Sequence, residues 1–206
     1  MGYRFSNDQG KLQSELDKTG ICFLHAPLFH PALKAVGPVR KQLGIKTFFN
    51  MLGPLVNPAN PEFRVSGVFS SEAGRIYSYF LQAEKKKFIV LHSLDGYDEI
   101  SLTSPVKIFS PDGETMMNFC EYGFEKVAPA DILGGATIEE SGRIFLSVLE
   151  NHATPAHRSV VIANSALAIK CIDPAKSIEE CTVIAGEALL SGKASDVFKR
   201  LIQMQN

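Results

Sequence analysis

The chain has 206 residues, 45% of them hydrophobic and 21% charged, ordinary values for a soluble globular protein that builds one core. Its 21 basic and 22 acidic side chains leave a formal net charge of -1, so no basic excess draws it to nucleic acid or to an anionic membrane. No apolar stretch has the length to cross a bilayer, and the opening MGYRFSNDQGK lacks the hydrophobic core of a secretory signal.

In chain order, residues 8–19 predict a short amphipathic helix with Asn7 or Asp8 as N-cap, Leu12 and Leu16 inward, and Gly20 as the stop. Ile21-Cys22-Phe23-Leu24 predicts a brief strand. A second helix is expected from Pro31, with Leu33, Val36, Val39 and Leu43 as its apolar stripe and Pro38 bending or breaking it. Residues 45–62 carry Gly53-Pro54, Asn57-Pro58 and Asn60-Pro61 and predict a rigid, partly buried loop. Phe63 to Phe69 predicts a strand, and Ser70 or Ser71 caps a helix to about Lys86 with Ile76, Phe80 and Ala83 inward. The run Lys85-Lys86-Lys87 suits the negative end of that helix.

Phe88-Ile89-Val90-Leu91 reads as a buried strand. Strand, helix, strand argues for a βαβ unit with at least one parallel pair. Ser110-Pro111-Asp112-Gly113 marks a turn between two short segments of 106–119, an antiparallel hairpin, so the sheet is expected to be mixed. Thr137 with Glu140 and Ser177 with Glu180 are capping-box patterns, opening helices that end near Leu149 and Gly192. Residues 159–172 predict a buried helix, and Ser195 caps a last amphipathic one. The fold class is α/β, a mixed, largely parallel sheet flanked by helices. Cys22, Cys120, Cys171 and Cys181 show no CxxC spacing and read as reduced thiols packed as small hydrophobes. His152 and His157 are wrongly spaced for one helical face and have no nearby cysteine, which argues against a metal site there.

Three stretches can carry chemistry. Leu91-His92-Ser93-Leu94-Asp95-Gly96-Tyr97-Asp98-Glu99 follows a buried strand, and ligands of open α/β sheets bind beyond the carboxyl ends of strands. Asp98 and Glu99 are neighbouring carboxylates, and Mg²⁺ commonly takes one or two, with waters and substrate phosphates completing its octahedron. A solvated turn at Asp95-Gly96 explains the same residues. In His25-Ala26-Pro27-Leu28-Phe29-His30-Pro31, continuing to Arg40, His30 stands just before a helix and Arg40 is a fork suited to a carboxylate or phosphate. A capping histidine and a surface arginine are the plainer reading. A straight helix would hold the two ~15 Å apart, so one small ligand meets both only if the chain bends at Gly37-Pro38. In Phe49-Asn50-Met51-Leu52-Gly53-Pro54-Leu55-Val56-Asn57-Pro58, Gly and Pro fix the backbone and let a ligand or another loop approach it. Asn164, an amide inside an apolar run, must find partners and reads as structural.

HAPLFHPALKAVGPVRKQLGIKTFFNMLGPLVNP, DGYDEIS, IANSALAI and SIEECTVIAGEALLSGKA, in this order from about Gly20 to the end, resemble the anthranilate phosphoribosyltransferases. The resemblance implies an incomplete C-terminal domain of the nucleoside phosphorylase/phosphoribosyltransferase type, with residues 1–206 as one partial domain. It implies transfer of a phosphoribosyl group from phosphoribosyl pyrophosphate to the amine of anthranilate, a step of tryptophan biosynthesis. By resemblance Asp98 and Glu99 bind Mg²⁺, His30 and Arg40 line the anthranilate path, and Ala26, Pro27, Gly53 and Pro54 wall it. A cytoplasmic location, a homodimer for the full-length family, and no nucleic-acid or membrane partner go with it.

The family's GTGGD loop and KHGNR-like segment are not among these residues. The one Gly-Gly pair, Gly134-Gly135, is followed by Ala136 where the family has an acid. A phosphate site needs backbone N–H donors from such a loop, so the 206 residues alone are expected to show no measurable transfer. The competing readings are a pyrimidine nucleoside phosphorylase-like enzyme, a non-catalytic nucleic-acid-binding relative, and a remnant whose uncovered apolar face self-associates.

Overall fold

The computed structural model describes residues 1–31, 42 and 48–205. They fall into two compact units, Met1–Pro61 with Ser195–Asn206, and Glu62–Ala194.

In the first unit, α1 (Gln9–Thr19) begins at Asp8, whose carboxylate accepts from the Lys11 N–H at 2.6 Å. It ends at Gly20, in the left-handed region at φ 78°. Its inward face is Leu12, Glu15 and Thr19, whereas Leu16, expected inside, is 43% exposed. Partners distant in sequence explain the correction. The fully buried Glu15 accepts from the Tyr3 hydroxyl at 2.7 Å and from the Gln205 amide at 2.8 Å, with the Lys11 ammonium 3.8 Å away. Ile21–Leu24 is not a strand: the Phe23 N–H donates to the Tyr3 hydroxyl at 3.3 Å instead of to a ladder.

A single turn, α2 (Ala26–Phe29), follows, with Pro27 in its first turn, where an N–H has no helical partner. The helix expected beyond Pro31, with Pro38 and Arg40, lies outside the described residues. α3 (Phe48–Leu55) occupies the segment expected to be loop. Pro54 sits near its end, where the missing N–H removes one bond, and the Val56 N–H still donates to Leu52 O at 3.0 Å. The loop proper begins after it. Asn57 accepts from the N–H groups of Ala59 (side chain) and Asn60 (backbone), and Asn60 takes φ 43°. The last helix, α8 (Lys193–Gln203), starts before Ser195, which is buried within it and is not its cap.

In the second unit, β1 (Phe63–Gly67), β2 (Lys87–Ser93), β3 (Val106–Ser110) and β4 (Gly113–Met117) form one mixed sheet in that order. β1 and β2 are parallel, with Val65 opposite Ile89, and α4 (Ser71–Ala83) crosses between them; β2–β3 and the β3–β4 hairpin are antiparallel. Among the described residues the sheet is therefore mixed, as expected, but not largely parallel, because a helical crossover joins only β1 to β2 and a tight turn joins β3 to β4. α4 buries Ala73, Gly74, Tyr77 and Leu81. Ile76 and Phe80, expected inward, are 47% and 41% exposed. Gly74 selects the face, because a Cβ there would fall 2.3 Å from the Phe109 ring.

α5 (Ile138–Leu149) is capped by Thr137, while the Glu140 carboxylate accepts one residue early, from the Ala136 N–H. α6 (Pro155–Ile172) starts before the expected 159. It lays Ala163, Leu167 and Cys171 onto a core of Ile89, Leu91, Ile100, Leu102, Val106, Ile108 and Tyr122. Its neighbour α7 (Ile178–Leu190) has the full capping box of Ser177 and Glu180. Cys171 and Cys181 are buried and Cys120 is exposed, so only some of the thiols act as core hydrophobes. Among the described residues no helix is long and apolar enough to cross a membrane.

Candidate functional site

The first unit holds a cavity of about 380 Å³ lined by Leu24, Ala26, Phe29, His30, Gly53, Pro54, Asn57 and Pro58. It unites four residues singled out from sequence, Ala26, His30, Gly53 and Pro54. Pro27 lies beside them in α2 without lining the cavity, and Arg40 is outside the described residues. His30 joins the two walls: its Nε2 lies 2.7 Å from Val56 O, just after α3. A carbonyl only accepts, so Nε2 carries the proton and a neutral ring leaves Nδ1 as an acceptor. The cavity is mostly apolar with few polar groups, the usual composition of a small-molecule site. Leu24, Phe29, Asn57 and Pro58 also line it and were not assigned from sequence. Asn57-Pro58 stood in the punctuated segment as the available signal.

The second unit holds the acidic loop, which leaves the sheet at Ser93 and returns at Val106. Its base is dense with hydroxyls. Ser93, Ser101 and Thr103 are buried, the Thr103 hydroxyl donates to the Asp95 carboxylate, and Thr103 Oγ1 lies 2.7 Å from Ser101 Oγ. The Ser93 N–H donates to Tyr97 O at 3.0 Å, and Leu94 N–H to Pro105 O at 3.0 Å, closing the turn. Buried His92 is a tether, its Nδ1 donating to Val68 O at 3.0 Å. Asp98 and Glu99 project from this base. Both are exposed, and among the described residues neither carboxylate has a hydrogen-bond or ion-pair partner.

Two residues shape the loop from outside it. Gly67 ends β1 so close beneath the loop that a Cβ would fall 1.5 Å from Asp98 O. A glycine at a strand end, next to an approaching backbone, was the missed signal. Asn164 of α6 bonds both backbone groups of Ile100.

Among the described residues no three His, Cys, Asp or Glu side chains converge into a protein-only metal cage. Among the described residues the unpartnered carboxylates of Asp98 and Glu99 are hard oxygen donors of the type a divalent cation takes together with phosphates and water. Thr154 caps α6, accepting from the His157 N–H, the His157 Nε2 lies 3.3 Å from Leu133 O, and Gly135 packs on Glu140 at φ 89°.

A family described as "Glycosyl transferase family, a/b domain" matches residues 1–195. The anthranilate phosphoribosyltransferase of Flavobacterium johnsoniae is 47% identical over 204 residues, 99% of this chain and 62% of that protein. The chain spans about 62% of the length of the curated relatives it matches. The crystal structure of anthranilate phosphoribosyltransferase from Thermus thermophilus superposes with a TM-score of 0.86 at 29% identity, over 95% of this chain and 59% of that one. The fold also matches the Saccharomyces cerevisiae enzyme in complex with phosphoribosyl pyrophosphate and Mg, with a TM-score of 0.86 at 22% identity, over 95% of this chain and 56% of that one.

Proposed function

The chain belongs to this glycosyl transferase family, and from that premise we propose that it is the acceptor and metal portion of an Mg²⁺-dependent anthranilate phosphoribosyltransferase of tryptophan biosynthesis. The observation that carries the reading is the single cavity in which Ala26, His30, Gly53 and Pro54 meet. Residues 1–206 form one partial α/β domain of that enzyme in this proposal, which also takes in a cytoplasmic location and a homodimer, with no nucleic-acid or membrane partner.

In the reaction, the bond from ribose C1 to pyrophosphate breaks, the anthranilate nitrogen bonds C1, and the amine gives up a proton. The apolar walls hold the flat ring and keep water from competing, which converts encounter into position. His30, its Nε2 proton committed to Val56 O, offers Nδ1 to the amine proton. Arg40 is assigned to the anthranilate path, where its fork suits the carboxylate. Asp98 and Glu99 hold Mg²⁺ at the pyrophosphate, and when bound it supplies Lewis-acid stabilisation of the leaving charge.

The test is a chimera in which these 206 residues replace the matching portion of the Flavobacterium johnsoniae enzyme, which supplies a phosphate loop. Phosphoribosyl anthranilate formation that requires Mg²⁺ is the expected result. A folded chimera that leaves anthranilate unreacted but cleaves pyrimidine nucleosides with phosphate overturns the reading. The 206 residues alone are expected to give no measurable transfer, and turnover near that of the full-length relative would contradict this.

A further inference from the structure

We propose that Asn164 is a positioning residue that sets the grip of Asp98 and Glu99 on the divalent cation, an inference that rests on the metal reading above. The backbone of three successive residues is fixed from three other places. Asp98 O sits against Gly67 at the end of β1. Glu99 O accepts from the Ser93 hydroxyl at 2.6 Å. Ile100 is clamped at two points, its N–H donating to Asn164 Oδ1 and its carbonyl accepting from Asn164 Nδ2, both at 2.9 Å.

The clamp has one orientation. The second N–H of the same amide donates to Val160 O at 2.9 Å, one turn back on α6. A flipped amide would set N–H against N–H and carbonyl against carbonyl, so all its hydrogen bonds agree on a single rotamer. Asn164 thus reproduces the paired exchange of a strand ladder, using a side chain where no strand exists. The next residue up the chain is Glu99, whose Cα direction is set by the same peptide plane.

The plainer reading is that Asn164 only satisfies the backbone of buried Ile100. Against it stands the contrast within the loop. The Glu99 carbonyl and both backbone groups of Ile100 are held by side chains, while among the described residues the two carboxylates are left uncommitted. Outer residues that orient metal ligands typically carry about 10–100-fold in metal affinity. A merely structural amide would change stability and leave affinity alone.

Mn²⁺ is the probe, titrated into the full 206-residue chain and followed by electron paramagnetic resonance, with thermal melting of each variant. Asn164→Ala is expected to weaken Mn²⁺ binding at least about tenfold where the chain is fully folded. Val148→Ala, a core truncation in α5 away from the loop, is expected to lower the melting temperature and keep wild-type affinity. Asn164→Asp keeps the acceptor for the Ile100 N–H, loses the donor to the carbonyl, and adds a negative charge. Charge alone would tighten Mn²⁺, so weakening in this isostere reports the lost clamp. A folded Asn164→Ala chain that binds Mn²⁺ within twofold of wild type overturns the positioning role, as does tighter or unchanged binding by Asn164→Asp. Wild-type affinity in the D98N/E99Q chain overturns the metal reading itself, a separable outcome. Should both Asn164 variants fail to fold, wild type decides. Linkage requires saturating Mn²⁺ to slow hydrogen exchange at the Ile100 amide, and an unchanged rate overturns the proposal.

Discussion

The cavity around His30 and the loop around Glu99 follow contrasting rules. In the cavity the side chains are the working surface, and the one polar ring among them fastens the wall to Val56 O. In the loop the backbone is bonded by Ser93 and Asn164 and closely approached by Gly67, and among the described residues the carboxylates proposed to take the cation are without partners. Shape selection needs a rigid wall of atoms. Cation capture needs charges whose own hydrogen-bonding capacity is unfilled, mounted on a backbone that does not move. Mutations should therefore separate cleanly into those that change shape and those that change charge.

The largest expected effect is on the charge side. D98N/E99Q in the chimera should lower kcat/KM on the order of 100-fold or more, since the metal's Lewis-acid contribution is several kcal/mol. Melting temperature should hardly move, because the exposed carboxylates contribute no bond to the fold among the described residues. Steady-state kinetics alongside calorimetry checks both halves. Retained turnover would remove the loop from the mechanism.

Two glycines sharpen the contrast next. Gly67→Ala forces a Cβ to within 1.5 Å of Asp98 O, so backbone must shift. Urea unfolding should show a loss of about 1–3 kcal/mol, with weaker Mn²⁺ binding. Gly53→Ala meets nothing within 4 Å and lies in a helix, so stability should hold or rise by up to about 1 kcal/mol. Its methyl lies at the wall of the cavity, so the chimera's KM for anthranilate should rise. Equal destabilisation by both alanines would erase the distinction between the two regions.

How much of this was legible in sequence depends on the range of the rule involved. Asp8, Ser70, Thr137 and Ser177 announced their helices because capping is local, and Gly20 and the Ser110–Gly113 turn did the same for the ends. The face of α4 was not legible. Ile76 and Phe80 form as good a stripe as Tyr77 and Leu81 until Phe109 demands a glycine opposite it. Glu15 turned inward for Tyr3 and Gln205, at the two ends of the chain. α3 was hidden by Gly53-Pro54, which count against a helix by propensity but cost little in its last turn. In the site, adjacency exposed Asp98 and Glu99, whereas Gly67 and Asn164 act through contacts that only folding creates.

His30 gives a smaller effect on the shape side. His30→Ala opens the wall and removes the bond to Val56 O, a contribution of about 0.5–1.5 kcal/mol. KM for anthranilate should rise about tenfold or less, with kcat falling if Nδ1 takes the amine proton and steady if the ring only shapes the wall. Mn²⁺ affinity should stay at the wild-type value. A change there would mean that shape and charge are not separable in this chain.

The smallest expected effect concerns stability of the cavity-bearing unit at high pH. Burial, then the hydrogen bond to Glu15, pushes the Tyr3 hydroxyl up to about 12 from an ordinary value of 10.0. The raised value means the folded chain keeps a proton that the unfolded chain releases. The stabilisation is therefore complete below pH 10.0 and disappears as pH climbs through about 12. Tyr3→Phe lacks the bond at every pH but has no proton to lose. Its urea midpoint should start lower at pH 9 and fall less than wild type by pH 11. Tyr77→Phe, which removes a hydroxyl raised to about 12 by burial in the sheet-bearing unit, should flatten the same window. Parallel pH curves for wild type and Tyr3→Phe would show that the Tyr3 hydroxyl releases its proton equally in the folded and unfolded chain, against the raised value.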